Sequence, residues 1–238
     1  MEAGLYVLVS GQLALQRRLD TIANNVANSA TSGFRAENVT FESVLSRQAI
    51  AYANQGGTTF SMAAGGLAQT DNPLDIAIQG EAFFAISTPA GTVYTRDGRM
   101  SISPTGDLQT LEGHPILDPS GSPLQVNPGL GPVSIAPNGV ISQNGRAAGS
   151  IGLFMLPAGT QLHRGNGAGL TTDVPAQPVI DFTETNIKQG YTENANVNPV
   201  QEMTRLIAVT RAFEALSSSL DQSDRKLDEA IRGLGGGR

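Results

Sequence analysis

The chain contains no cysteine and no tryptophan, only two histidines, and few aromatics: they occupy 5% of its 238 positions. Without cysteine there is no disulfide, no thiolate metal site and no cysteine nucleophile, and the redox compartment is left unconstrained. His114 and His163 stand far apart, without acidic residues at ligand spacing, which argues against a histidine metal site. No apolar run approaches the ~20 residues needed to span a bilayer. Glu2 stands where a signal peptide would carry basic residues, and Leu5–Val9 is too short for its apolar core. A cleaved signal is therefore not expected, and any route out of the cytoplasm would keep the N-terminus. There is no basic stripe and no aromatic platform for nucleic acid.

Motifs of catalysis are missing as well. The sequence holds no phosphate-binding Walker loop, no Gly-x-Ser-x-Gly elbow and no His-Glu-x-x-His. Gly165-Asn-Gly-Ala-Gly169 lacks the lysine and the following helix of a phosphate loop and reads as a β–β connection. Asp71 and Asp75 flank Asn72-Pro73 as turn residues, and Asp97 and Arg99 around Gly98 suit a salt bridge across a turn. His114, followed by Pro115, sits in a strand–turn setting that suits a surface or core residue better than a base. No enzyme, cofactor, metal or small-molecule substrate is expected.

What the sequence does have is a pair of terminal seams. Leu5, Leu8, Leu15, Leu19, Ile22 and Val26 follow a 3–4 spacing, with polar Gln12 in the one skipped slot. That is the stripe of a helix which packs against other helices. Residues 4 to 28 would form it, about 37 Å long at 1.5 Å per residue. Asn24, Asn25 and Asn28 crowd its end, and Gly33 follows where a positive φ can turn the chain before Phe34. A second pattern starts at Pro199, with Met203, Leu206, Val209, Phe213, Leu216, Leu220, Leu227 and Ile231 at spacings of three or four, apart from a seven-residue step between Leu220 and Leu227. Pro199 suits a first helical turn. If the six apolar side chains of the first stripe are buried they gain about 9–18 kcal/mol, an upper bound that only a partner surface can supply. The partner is the other terminus, other copies of the chain, or, on the plainer reading, the two helices form a hairpin under one globular domain.

Between the termini the texture changes. Residues 49–72 are small, polar and glycine-rich, an adaptable connector. From Pro73 short apolar stretches alternate with turns such as Pro137-Asn-Gly139 and Asn144-Gly145, the latter the strongest hairpin signal. The expected fold class is therefore α+β: terminal helices forming a coiled-coil-type module, with an inserted antiparallel all-β domain. Its parts are 1–45 (axial helix and turn), 46–72 (connector), 73–185 (β domain), 186–199 (return connector) and 200–238 (second axial helix). The net charge of −6 falls entirely in the middle: residues 1–48 and 200–238 are each balanced. Balanced termini can pack in many copies without self-repulsion.

Three blocks carry a resemblance. Ala23-Asn-Asn-Val-Ala-Asn28 with Thr31-Ser-Gly-Phe34 is one, and Glu193-Asn-Ala-Asn-Val-Asn198 with Glu202-Met203, Leu206-Ile207 and Arg211-Ala-Phe-Glu214 is another. The third is Asn72-Pro-Leu-Asp-Ile-Ala-Ile-Gln-Gly80 with Phe83-Phe84 and Tyr94-Thr-Arg-Asp-Gly98. Taken in their order along the chain they resemble the flagellar rod and hook axial proteins; Thr210 and Ala195 depart from the family's usual Gln and Ser. The resemblance implies a structural rod subunit, of the proximal rod or alternatively the distal rod, working with copies of itself and other axial proteins. It further implies type III export without cleavage, and a rod that crosses the periplasm and transmits torque. The seams would supply axial packing, with Leu206, Phe213, Leu220 and Leu227 in register. Asn24, Asn28, Gly33 and Phe34 would turn the chain out of the tube, and Asn196 to Asn198 would bring it back. A β-domain adhesin on a helical stalk is the rival class.

Overall fold

A computed structural model of the chain describes residues 2–45 and 51–235. Helix α1 is Glu2–Ala27 and is followed by strands β1 (Glu37–Leu45), β2 (Ala51–Phe60), β3 (Leu67–Gln69), β4 (Ile76–Gln79), β5 (Phe83–Thr88) and β6 (Gly91–Thr95). Next come β7 (Met100–Ile102), β8 (Leu108–Thr110), β9 (Val133–Ile135), β10 (Val140–Gln143), β11 (Arg146–Ser150) and β12 (Leu153–Met155). The chain ends with β13 (Leu162–Arg164), β14 (Leu170–Thr172), β15 (Gln177–Pro178), β16 (Asn186–Gln189), β17 (Tyr191–Glu193) and helix α2 (Pro199–Gly235). The class is α+β, with two terminal helices around a mostly antiparallel β region. None of the described helices is long and apolar enough to cross a membrane.

The chain forms two compact units. One contains Met1–Ala27, Glu37–Thr59 and Asn198–Arg238; the other contains Asn28–Ala36 and Phe60–Val197. In the helical unit α1 and α2 pack on each other and β1 pairs with β2. Helix α2 starts where the Asn198-Pro199 pair dictates. The Asn198 side-chain oxygen accepts from Val200 N (3.1 Å) and Gln201 N (3.2 Å), satisfying two amides that have no partner inside the helix.

The β unit is built around a six-stranded sheet ordered β13-β14-β6-β5-β12-β15. Its centre, β5, shows why the run Phe83-Phe-Ala-Ile86 is apolar throughout. Successive side chains point to opposite faces, so Phe84 and Ile86 enter the main core while Phe83 and Ala85 enter a second core with Phe60, Tyr94, Leu117 and Phe154. The main core continues through Leu108, Ile116, Ile141, Ile151 and Leu153, all essentially inaccessible. The hairpin expected at Asn144-Gly145 joins β10 to β11 with Gln143 opposite Arg146, and Asn144 takes φ 50°. Around Gly98, Arg99 and Asp97 form the expected turn salt bridge, with the two contacts at 2.9 and 2.6 Å.

Two stretches expected as connectors carry strands instead. Residues 51–60 and 67–69 form β2 and β3, and residues 186–193 form β16 and β17. The return segment zips back along the early part of the β unit: Ile187 lies opposite Ile78 in β4, and Thr192 opposite Ala68 in β3. The alternation is present but short. Ile187 and Thr192 face inward and Lys188 faces out, a pattern that only a partner far away in sequence completes.

Candidate functional site

The helical unit presents the first candidate surface. On α1, Ile22 is buried, and Leu8, Leu15, Leu19 and Val26 are half-buried. On α2, Val209 is buried, and Leu206, Phe213, Leu216 and Leu220 are half-buried. The side chains of Leu5, Leu227 and Ile231 lie outside the described residues. Asn24 is half-buried and makes polar interactions. Met203 departs from the expected stripe and is 51% exposed. At ~100° per residue it lies about a third of a turn away from Val209, which sets the inward face of α2.

Asn25 has a role that the spacing of apolar residues does not reveal. Only 2% exposed, it bonds both backbone groups of one residue of β1: its Nδ2 donates to Glu37 O and its Oδ1 accepts from Glu37 N, each at 2.9 Å. A side-chain amide thus pairs with strand β1 as a neighbouring strand would, tying it to the last turn of α1. Apolar side chains remain exposed on both helices: Val7, Val9 and Leu13 on α1, and Val200, Met203 and Ile207 on α2, the last three sharing one face at ~100° per residue.

The second candidate lies within the β unit, where three chain segments meet. Gly33 takes φ 69°, and Gly33 and Phe34 are both buried. Gly33 N donates to Glu193 O at 2.7 Å, and Asn196 N donates to Phe34 O at 3.1 Å. Asn196 then uses its whole amide. Its Oδ1 accepts from Ala36 N at 2.7 Å, and its Nδ2 donates to Ser61 O (2.9 Å) and Ala63 O (2.8 Å). Asn28 ends the preceding turn, its carbonyl accepting from Thr31 N at 3.0 Å.

Beneath this stitching sits a cluster that sequence reasoning missed. Arg35, Arg96 and Glu193 are each at most 2% exposed. Arg35 Nη2 stands 2.8 Å from Glu193 Oε1, an ion contact outside hydrogen-bond geometry, while Arg35 Nη1 donates to Ala63 O at 2.9 Å. Arg96 Nη1 donates to Glu193 Oε2 at 3.1 Å and Nη2 donates to Gly80 O. Burial pulls the Arg96 guanidinium down to about 10, against the opposing Glu193 carboxylate, so it stays protonated at neutral pH. The Phe83 ring lies 4.9 Å from the Arg96 guanidinium carbon, and Arg164 lies over Phe34 and Phe60 at 4.3 and 4.7 Å while donating to Arg35 O. One local signal existed: Arg96 directly follows Val93-Tyr-Thr95, the buried end of β6. Its partners, however, come from positions 35 and 193.

Among the described residues no three His, Cys, Asp or Glu side chains gather as metal ligands. Both candidate surfaces organise backbone and packing, and neither offers a nucleophile with a base beside it.

Comparison with known proteins agrees with this character. The family described as flagella basal body rod protein matches residues 5–35, the flagellar hook protein FlgE/F/G D1 domain matches 77–143, and the flagellar basal body rod FlgEFG protein C-terminal matches 188–232. The flagellar basal-body rod protein FlgF of Mesorhizobium japonicum is 48% identical over 238 residues, covering 99% of both chains. The FlgF of Rhizobium meliloti is 41% identical over the whole of both chains, and the rod protein FlgG of Bacillus subtilis is 30% identical, covering 97% of this chain and 98% of its own. The chain belongs to the flagellar basal-body rod protein family.

Proposed function

We propose that this chain is a structural subunit of the flagellar basal-body rod, in its proximal segment, and that its mechanism is assembly rather than catalysis. The observation that carries the reading is the apolar side chains left exposed on the helical unit, where Leu13, Met203 and Ile207 are each more than half exposed. An amphipathic helix that covers one stripe and bares another is suited to packing in many copies. In the rod, α1 and α2 of neighbouring subunits form a coiled-coil-type tube. Residues 1–45 and 200–238 are its axial parts and 73–185 its outer domain, with 46–72 and 186–199 between them. The seam from Leu5 to Val26 and that from Met203 to Ile231 supply the packing. Asn24, Asn28, Gly33 and Phe34 lead the chain out, and Asn196 and Asn198 lead it back.

The FlgF of Mesorhizobium japonicum and that of Rhizobium meliloti share more identity with this chain than the FlgG cited above, which favours the proximal over the distal rod. Matching of both termini as well as the middle does not favour an adhesin on a stalk. The partners are copies of this chain and other axial rod proteins. The subunit passes through the flagellar type III export apparatus with its N-terminus intact and takes its place where the rod crosses the periplasm.

Leu19→Asp tests the seam. An aspartate among packed apolar side chains costs about 2–5 kcal/mol in each subunit. The β unit is expected to stay folded while the variant is absent from purified basal bodies and the cells are non-motile. Normal rods containing the variant would refute the assignment.

A further inference from the structure

The buried cluster of Arg35, Arg96 and Glu193 has a position in the chain that its chemistry alone does not explain. The β unit contains residues 28–36 and 60–197, so the chain leaves or enters it beside residues 28, 36, 60 and 197. The cluster and its stitching involve Gly33 to Ala36, Ser61 to Gly65, and Glu193 to Asn196. Each of the unit's chain ends therefore lies within about five residues of one buried carboxylate. Glu193 reaches all the segments: Oε1 contacts Arg35 and accepts from Gly65 N at 2.8 Å, Oε2 accepts from Arg96, and its backbone carbonyl accepts from Gly33. Arg96 passes the connection into the sheet through Ile78 O and Gly80 O.

A buried ion cluster is a poor way to stabilise a fold, because desolvation offsets much of the attraction, whereas it fixes geometry well, because each charge needs its particular partners. We infer that Arg35, Glu193 and Arg96 are positioning residues that clamp every chain end of the β unit to its sheet at one point. On the proposed rod function, this clamp is what makes load on the connecting segments act on the sheet as a whole rather than peel the segments away.

The test uses the purified full-length protein and needs no flagellum, so it can fail while the rod assignment stands, and the reverse. Backbone amide hydrogen exchange is measured for the native chain, for Glu193→Gln and for Arg35→Lys. Glu193→Gln keeps the size and an acceptor for Gly65 N but removes the charge; Arg35→Lys keeps the charge but loses the planar guanidinium that reaches Ala63 O through Nη1 and Glu193 Oε1 through Nη2 at once. The amides of Gly33, Ala36 and Asn196 are expected to exchange roughly tenfold faster in both, while those of Leu108, Ile116 and Leu124 in the core keep their protection. Uniform acceleration across the sheet would show that the cluster serves only general stability. Unchanged protection at Gly33, Ala36 and Asn196 would show that the backbone stitching holds without it. Either result overturns the clamp.

Discussion

Gly33→Val is expected to leave the core of the β unit folded and to abolish incorporation into the rod. A β-carbon at residue 33 would lie 2.2 Å from Asp97 N and 2.3 Å from Arg96 C, and backbone atoms cannot step aside as a side chain could. The left-handed φ of 69° adds strain for a β-branched residue, about 1–3 kcal/mol, with the overlap costing about as much again. The cheapest relief is for the turn at 31–34 to lift away from the sheet. Lifting breaks the bond from Gly33 N to Glu193 O, draws Phe34 from under Arg164 and frees the chain end that the cluster holds. Ala30→Ser, at an exposed position three residues earlier, should be silent. Fractionation comparing secreted with basal-body-bound subunit checks both variants, and equal incorporation would show that the turn tolerates a side chain.

Gly98→Ala should have a larger effect on the fold itself. Its β-carbon would come to 1.7 Å from Ile76 O, and Ile76 N already accepts no freedom to move because it donates to Gly98 O at 3.0 Å. Two backbones approach here without room for a methyl group, so β4 must separate from the turn that carries the Asp97–Arg99 pair. Ile76 is fully buried in the main core, and shifting it opens that core. A loss of about 3 kcal/mol or more is expected, visible as a fall in Tm of the full-length protein. A Tm within a degree or two of the native value would contradict the packing described.

These two glycines mark what could and could not be read from sequence. The turn at Gly33 was legible because a helical stripe stops abruptly before Ser32-Gly33. The need for glycine at 98 was not, since it arises from a strand more than twenty residues away. Both helices were legible from 3–4 spacing, and the start of α2 from Asn198-Pro199, because helix periodicity and capping are local. Met203 follows the same 3–4 spacing as Val209 yet is exposed in the single chain, because spacing alone cannot say which of two apolar faces of one helix is covered within the chain. The strands at 186–193 read as a connector because their hydrogen bonds run to residues 67–79. Arg35, Arg96 and Glu193 each look like surface charges in isolation; only the folded chain, which joins positions far apart, turns them into one buried cluster.

The central claim is that the exposed apolar side chains of the helical unit are covered by neighbouring subunits in the rod. The chain has no native cysteine, so Leu13→Cys and Ile207→Cys each give a single reactive thiol on α1 and α2. Both positions are more than half exposed in the single chain and should label rapidly with a soluble maleimide in the purified monomer. In basal bodies purified from motile cells carrying the same variants, both thiols should be protected from the reagent until the rod is dissociated. Labelling as fast in intact basal bodies as in the monomer would contradict the account.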